Sequence, residues 1–296
     1  MDNLFKIKIL KPGLFSSLQD LGRVGHQDAG IPFSGAMDKE AHKIANELLD
    51  NPHATPTIEM TLCGAELEFE GVGQIAITGA DMNAKLNDKP VPMYQTIDIK
   101  SGDRLSFHRS ESGCRTYLAA RGEWGGTEWL SSFSTISNLL KVDGIPEQLQ
   151  PNQSIEIRTS NFIEQRTYPK TARPIYTSSY IIRVVTGPEF EQFSIDQIQS
   201  FFDKVFEVSA DSNRMGYRLK GAIKDYKPLR EEISSGIVEG TVQVTSAGEP
   251  IILAADAQTT GGYPRIANVV TEDLSIVAQM KAGDEVRFML VGLADL

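Results

Sequence analysis

The side chains best suited to chemistry gather in the second half of the chain, most densely at residues 255–266, A-D-A-Q-T-T-G-G-Y-P-R-I. Asp256, Gln258, Thr259 and Thr260 offer compact hydrogen-bonding groups, and Gly261-Gly262 follow at once. Without a Cβ, those glycines let the backbone take positive φ or approach a ligand closely. Tyr263-Pro264 then stiffens the exit. A polar rim at the mouth of a strand suits binding; an ordinary chain reversal would use the same residues. Upstream, D-S-N-R-M-G-Y-R-L-K-G (211–221) sets Asn213, Arg214, Tyr217 and Arg218 around one glycine. A guanidinium fork binds carboxylate or phosphate through two parallel hydrogen bonds. The alternative is a loop whose arginines pair with the chain's own acids. Between these stretches, S-S-G-I-V-E-G-T-V-Q-V (234–244) carries Glu239, a candidate general base or a solvated carboxylate.

Two more candidates lie near the beginning. F-S-S-L-Q-D-L-G-R-V-G-H (15–26) places Gln19, Asp20 and Arg23 together, as a polar cluster lining a pocket or as an Asp20–Arg23 ion pair holding a turn. Ser34 stands ahead of the clearest helix, expected over 37–49, where Met37, Ala41, Ile44, Ala45 and Leu48 share one face. Ser34 or Asp38 would cap it and Asp50-Asn51-Pro52 would stop it. A helix start beside a Ser-Gly loop also suits an anion. On this reading Met37 is core and His42 lies on the exposed face.

The elements that must hold these residues are mostly strands. Runs at 6–10, 58–62, 65–69, 74–78, 96–99, 104–108, 115–119, 153–158 and 250–254 are short and rich in β-branched or alternating residues, with Gly, Asn, Asp and Pro between them. That spacing predicts a sandwich or barrel. Trp124 and Trp129 suit an anchored loop, 133–140 a short helix and 195–203 a second helix. Residues 166–179 form a connector containing Pro, Thr and Ser, so the domains are expected at 1–175 and 176–296. The second half echoes the first: I-K-S-G-D-R-L-S-F (99–107) matches M-K-A-G-D-E-V-R-F (280–288), and K-I-K-I-L-K-P-G-L-F (6–15) matches I-I-R-V-V-T-G-P-E-F (181–190). Two related, mainly β lobes in tandem follow.

Composition narrows the function. A net charge of −10 over 296 residues argues against nucleic acid. The two cysteines, Cys63 and Cys114, cannot build a disulfide framework and fit a reducing cytosol. No signal-peptide core or membrane-length apolar run is visible, so a cytoplasmic protein with no membrane partner is expected. The four histidines never take an H-x3-H spacing, and no metal site is expected. There is no G-x4-G-K-[ST] sequence. Met280-Lys281 has the look of a biotin attachment point, but its K-A-G-D context recurs at 100–103 and reads as a turn before a strand.

Five stretches, taken together, resemble one family. G-L-F-S-S-L-Q-D-L-G-R-V-G (13–25), I-P-F-S-G-A-M-D (31–38), N-R-M-G-Y-R-L-K-G (213–221), S-G-I-V-E-G-T-V-Q-V (235–244) and A-D-A-Q-T-T-G-G-Y-P (255–264) are similar to the C component of 5-oxoprolinase, PxpC. That is the KipA, or allophanate hydrolase subunit 2, group of the biotin-dependent carboxyltransferase family. The resemblance implies two tandem cyclophilin-like β-barrel lobes with a few short helices. It implies work with two partners, the KipI-like PxpB and PxpA, opening 5-oxoproline to glutamate with ATP, and magnesium, in the assembled complex. It implies no biotin on this chain, which shows no ATP-grasp, biotinyl or KipI-like part and looks inactive alone. The implied roles are catalysis by Asp20, Arg218 and Glu239. Gln19, Arg23, Ser34, Asn213, Arg214, Tyr217, Gln258, Thr259, Thr260, Gly261, Gly262 and Tyr263 would bind substrate or nucleotide. Two positions depart from the family pattern: E-W-L-S-S-F-S-T (128–135) stands where V-L-G-S-R-S-T is usual, and His26 stands where Tyr is usual. Related alternatives are a biotin-dependent carboxyl transferase of the urea amidolyase type and a non-catalytic antagonist of a KipI-like kinase inhibitor.

Overall fold

The computed structural model describes residues 3–137, 144–159, 161–227 and 234–292. It divides into two compact units: Met1–Arg23 with Ser34–Tyr176, and Val24–Phe33 with Thr177–Leu296. Both are mainly β, as the strand spacing predicts. None of the helices among the described residues is long and apolar enough to cross a membrane.

The first unit packs two sheets over a shared core. Its seven-stranded sheet runs in the order Glu123–Trp124, Ser154–Thr159, Asn3–Lys11, Glu66–Glu70, Arg104–Ser106, Lys85–Leu86, Lys89–Pro90. Its five-stranded sheet runs Phe15–Gln19, Thr57–Thr61, Arg115–Ala120, Gly73–Gly79, Thr96–Ile99. Alternation explains the burial: Phe5, Ile7 and Ile9 point inward against Ile75, Ile77 and Leu118, while Lys6 points out to Glu156 at 2.7 Å. Helix α1, Lys39–Leu48, lies on the five-stranded sheet, capped by Asp38, whose carboxylate accepts the Ala41 N–H at 2.9 Å.

The second unit contains a closed barrel, Ser179–Thr186, Arg265–Val269, Thr241–Val244, Pro250–Leu253, Gly216–Lys220, Phe206–Val208, Glu285–Leu290, sealed by parallel pairing of its first and last strands. Helix α2, Ile195–Asp203, opens on a Ser194–Gln197 capping box. It buries Phe201, which stacks on Phe288 at 4.6 Å.

The internal repeat is visible atom for atom. Asp103 and Asp284 each accept the N–H three residues back, at 2.8 Å from Lys100 and 2.9 Å from Lys281. Gly102 and Gly283 both sit at φ 88° in these turns, where a side chain would be strained. Each turn then bonds to a neighbouring strand, Gly102 N–H to Phe69 O and Gly283 N–H to Val208 O. Lys281 is therefore a turn residue, as its context predicts.

Two expectations need correction. Residues 133–137 are not helical, because their hydrogen-bonding groups turn toward Asp20 and Gln19; 138–140 fall outside the described residues. His42 is fully buried rather than on an exposed face. The segment from His53 to Thr57 folds over that flank of α1: His53 O accepts from His42 and Thr55 O from Asn46.

Candidate functional site

In the first unit, the polar residues after strand Phe15–Gln19 converge on one distant segment. One Asp20 carboxylate oxygen accepts from Gly22 N–H at 2.8 Å, Ser132 Oγ at 2.7 Å and Ser134 Oγ at 2.5 Å. The other accepts the Phe133 N–H at 2.7 Å. Gln19 Nε2 and Ser34 Oγ both donate to Thr135 O, at 3.1 and 3.0 Å. Arg23 Nη2 donates to Ser134 O, and its guanidinium lies 5.1 Å from the Trp129 ring centroid. The 128–135 stretch, which departs from the family pattern, is thus what these residues hold. Its turn places Leu130 and Ser131 at φ 51° and 58°, closed by Trp129 and Ser132 bonding each other's backbone. Two such residues cost about 1–2 kcal/mol each, so the flanking bonds must over-determine the turn.

This geometry changes the reading of four candidates. Gln19, Asp20, Arg23 and Ser34 are all buried. Asp20 accepts four hydrogen bonds, so both of its oxygens are taken up by the chain's own donors. Nor does Ser34 cap α1; Asp38 does.

Beneath the start of α1 lies a buried ionisable group that sequence reasoning missed. Glu59 accepts from Tyr117 Oη at 2.7 Å and Met37 N–H at 2.9 Å, and Arg115 Nε stands 3.7 Å away. Tyr117 Oη accepts the Asp38 N–H at 2.8 Å, and Tyr176 Oη donates to Asp38 at 3.3 Å. Burial, then the Glu59 charge, pushes the Tyr117 hydroxyl well above its ordinary pKa. The available signal was a glutamate inside T-I-E-M-T, a strand buried along most of its length. His42 is also inside: its Nε2 donates to His53 O at 2.7 Å, which leaves Nδ1 to accept from Thr57 Oγ1 at 2.9 Å. Desolvation lowers its pKa to about 4.

A cleft of about 210 Å³ opens beside the segment that Gln19 and Asp20 hold, lined in part by Leu18, Gly126, Thr127, Thr135, Glu147 and Gln153. Among the described residues no lysine or arginine lines it.

In the second unit, Arg214 resolves to the paired alternative. Its Nε and Nη2 reach the two oxygens of Asp256 at 2.9 and 3.0 Å, with both residues buried. That fork is occupied by the chain's own carboxylate. Asn213 accepts the Met215 N–H at 2.8 Å and so makes the turn. Tyr217 is buried in the barrel, whereas Arg218 points outward from the same strand.

The stretches around Glu239 and Gly261 meet in a small ribbon, Ser235–Gly236 paired with Thr260–Gly261. Ile237 N–H donates to Thr259 O at 3.0 Å, and the Ile237 side chain packs on Leu253 and Ala257. Gly261 packs closely: a Cβ there would lie 2.6 Å from Gln243 Nε2, the movable end of a side chain, and 3.1 Å from Ile237 Cδ1. Gln258, Thr260, Gly262 and Tyr263 are exposed, Thr259, Gly261 and Glu239 half-buried. The backbone is fixed while the polar side chains face outward, so this loop has the arrangement of a presenting surface.

The sequence profile described as "Carboxyltransferase domain, subdomain A and B" matches residues 29–290. The chain is 35% identical to the C component of 5-oxoprolinase from Escherichia coli, over 98% of this chain and 92% of that one. It is 32% identical to urea amidolyase of Saccharomyces cerevisiae over 96% of this chain but 16% of that one. Among solved structures, that of Kluyveromyces lactis urea amidolyase superposes with a TM-score of 0.88 at 28% identity, covering 97% of this chain and 19% of that one.

Proposed function

The chain belongs to the carboxyltransferase-domain family, subdomains A and B, and from that premise we propose that it is one component of an ATP-dependent 5-oxoprolinase, which opens 5-oxoproline to glutamate. The observation that carries the reading is the match to the C component of 5-oxoprolinase, which takes in 98% of this chain and 92% of that relative. The KipI-like PxpB and PxpA complete the assembly in the cytoplasm.

A lactam is resonance-stabilised, so its carbonyl must be activated and the developing oxyanion held by donors. In this chain the exposed loop is the best source of such groups: Gln258, Thr260 and Tyr263 orient the ring, and the backbone N–H groups of Thr260 and Gly262, which the ribbon ladder leaves on its outer side, face the oxyanion. Glu239 stands just ahead of the strand that follows the ribbon. Arg218 is the motif arginine on the outer face; Arg214 holds Asp256 instead. Gln19, Asp20, Arg23 and Ser34 act through the segment they hold.

The first-unit cleft offers little to magnesium-bound ATP. Among the described residues no three His, Cys, Asp or Glu side chains converge as a metal site, and the cleft lacks lysine and arginine. At about 210 Å³ it is also below the roughly 300–1,000 Å³ of drug-sized pockets. We assign nucleotide to the rest of the assembly.

The test is ATP hydrolysis that depends on 5-oxoproline, measured with this chain and its candidate partners PxpB and PxpA, each omitted in turn. Loss of turnover when this chain is left out is the expected result. A well-formed complex with no 5-oxoproline-dependent turnover would refute the proposal. The TM-score of 0.88 to urea amidolyase favours carboxyl transfer to a small amide as the second reading. Its test is transfer of label from carboxylated biotin carrier protein to urea.

A further inference from the structure

The ribbon of the second unit owes its position to an arginine just outside the five family-like stretches. Arg265 opens the strand Arg265–Val269, two residues after Tyr263. Its Nη1 donates to Gly236 O at 2.9 Å and so grips the first strand of the ribbon. Its Nε and Nη2 reach the two oxygens of Glu189 at 2.7 and 2.5 Å, and its backbone N–H donates to the same carboxylate at 3.0 Å. Gln243 completes the grip by donating to Tyr263 O at 3.3 Å. Both side chains of the Arg265–Glu189 pair are largely buried, at 16% and 12% exposure. Arg265 holds the Glu189 carboxyl below its usual range, chiefly by hydrogen bonding.

A bidentate pair fixes a guanidinium in plane and direction. The third contact then transmits that direction to the ribbon backbone. The clamp adds to a support already present: the ribbon is only two residues per strand, and Ile237 packs it on Leu253 and Ala257. Sites that must hold reacting groups within a fraction of an ångström use supports of this kind.

We infer that Arg265, oriented by Glu189, is a positioning residue that sets the 258–263 loop for its small amide substrate. The inference rests on the reading of that loop given under Proposed function.

The experiment compares Arg265→Lys, Glu189→Gln, Gln258→Ala and Thr260→Ala in the complete complex, with 5-oxoproline-dependent ATP hydrolysis as the assay. Lysine keeps the charge but cannot reach Glu189 and Gly236 O together. The expected result for Arg265→Lys is a loss of about ten- to a hundredfold in kcat/KM, carried by KM. The Ile237 amide should exchange faster with deuterium while the melting temperature stays nearly constant. Glu189→Gln retains an acceptor and should recover part of the loss. A melting temperature that falls while KM holds would make the pair merely structural and overturn the inference. If Gln258→Ala and Thr260→Ala raise KM but Arg265→Lys does not, the clamp is wrong and the loop reading stands. If neither loop variant alters KM, the loop reading fails and the inference with it. A wild-type complex without turnover sinks both.

Discussion

His42 gives the sharpest quantitative test of the first unit. Its ring is buried and neutral, and desolvation lowers its pKa from 6.5 to about 4. In the unfolded chain the ordinary value applies, so between pH 6.5 and 4 the unfolded state takes up a proton that the folded state refuses. Stability therefore rises with pH across that window and is lost as pH falls through it. Above pH 6.5 the ring is neutral in both states and adds no pH dependence. A difference of about 2.5 units at 1.36 kcal/mol each amounts to roughly 3 kcal/mol at pH 4, a large share of the usual margin of a domain. The perturbation is His42→Gln, which removes the titration. Urea unfolding is followed by tryptophan fluorescence, because both tryptophans, Trp124 and Trp129, lie in the first unit. The glutamine costs stability at every pH, so the quantity to read is the slope of the difference between wild type and variant. Between about pH 4.5 and 6 that slope should approach 1.4 kcal/mol per pH unit, with the variant losing less stability as acid is added. A difference curve flat over that range would mean His42 titrates normally, and the burial argument would be wrong.

Three other outcomes follow from single contacts. Asp256→Asn removes the carboxylate that meets the buried Arg214 fork and should destabilise the second unit by about 3–5 kcal/mol; urea unfolding followed by circular dichroism checks it, and a cost under about 1 kcal/mol would deny the pair its structural role. Asp20→Ala strands Ser132, Ser134 and the Phe133 N–H together, a loss of roughly 3 kcal/mol, read by the same tryptophan signal, with Trp129 shifted toward its exposed spectrum. Asp103→Ala and Asp284→Ala remove the same turn bond in each repeat. Both should cost about 1 kcal/mol, and unequal losses by differential scanning calorimetry would show that the two turns only look alike.

The backbone was more legible than the site. Helix α2 was expected from its place in the repeat, and the K-x-G-D turns from their own spacing; the Ser194–Gln197 box that opens α2 is equally local, because caps and turns are made by residues a few positions apart. The two-lobe order came from the same local repeats. Buried polar partners are different. Ser132 and Asp20 are 112 residues apart and Tyr117 and Glu59 are 58 apart, so no local pattern joins them. His42 was misplaced for a related reason: the apolar stripe marks one face of α1, but the loop from His53 covers a second flank with hydrogen bonds rather than hydrocarbon. The choice offered for Arg214, ligand or internal partner, was framed correctly from sequence, but only the fork on Asp256 decides it.

That decision bears on why polar motifs can be specific and still not touch substrate. Burying a carboxylate is costly unless its oxygens are met by donors, and even then the pair adds little net stability over hydrocarbon of the same size. Asp20, Asp256 and Glu189 are each met by two or more donors; those of Asp20 and Asp256 belong to turns or loops, and those of Glu189 to the arginine that opens a barrel strand. A hydrophobic contact would stabilise those loops without fixing their direction, because it is non-directional. A saturated carboxylate fixes both place and direction. Asp20 thereby holds a strained turn at Leu130-Ser131, and Glu189 holds the arginine that grips the ribbon. The side chains such anchors leave exposed here are Gln258, Thr260 and Tyr263, the ones proposed for recognition. A sequence motif that mixes both kinds therefore marks where a surface is built, while burial tells which of its residues form that surface.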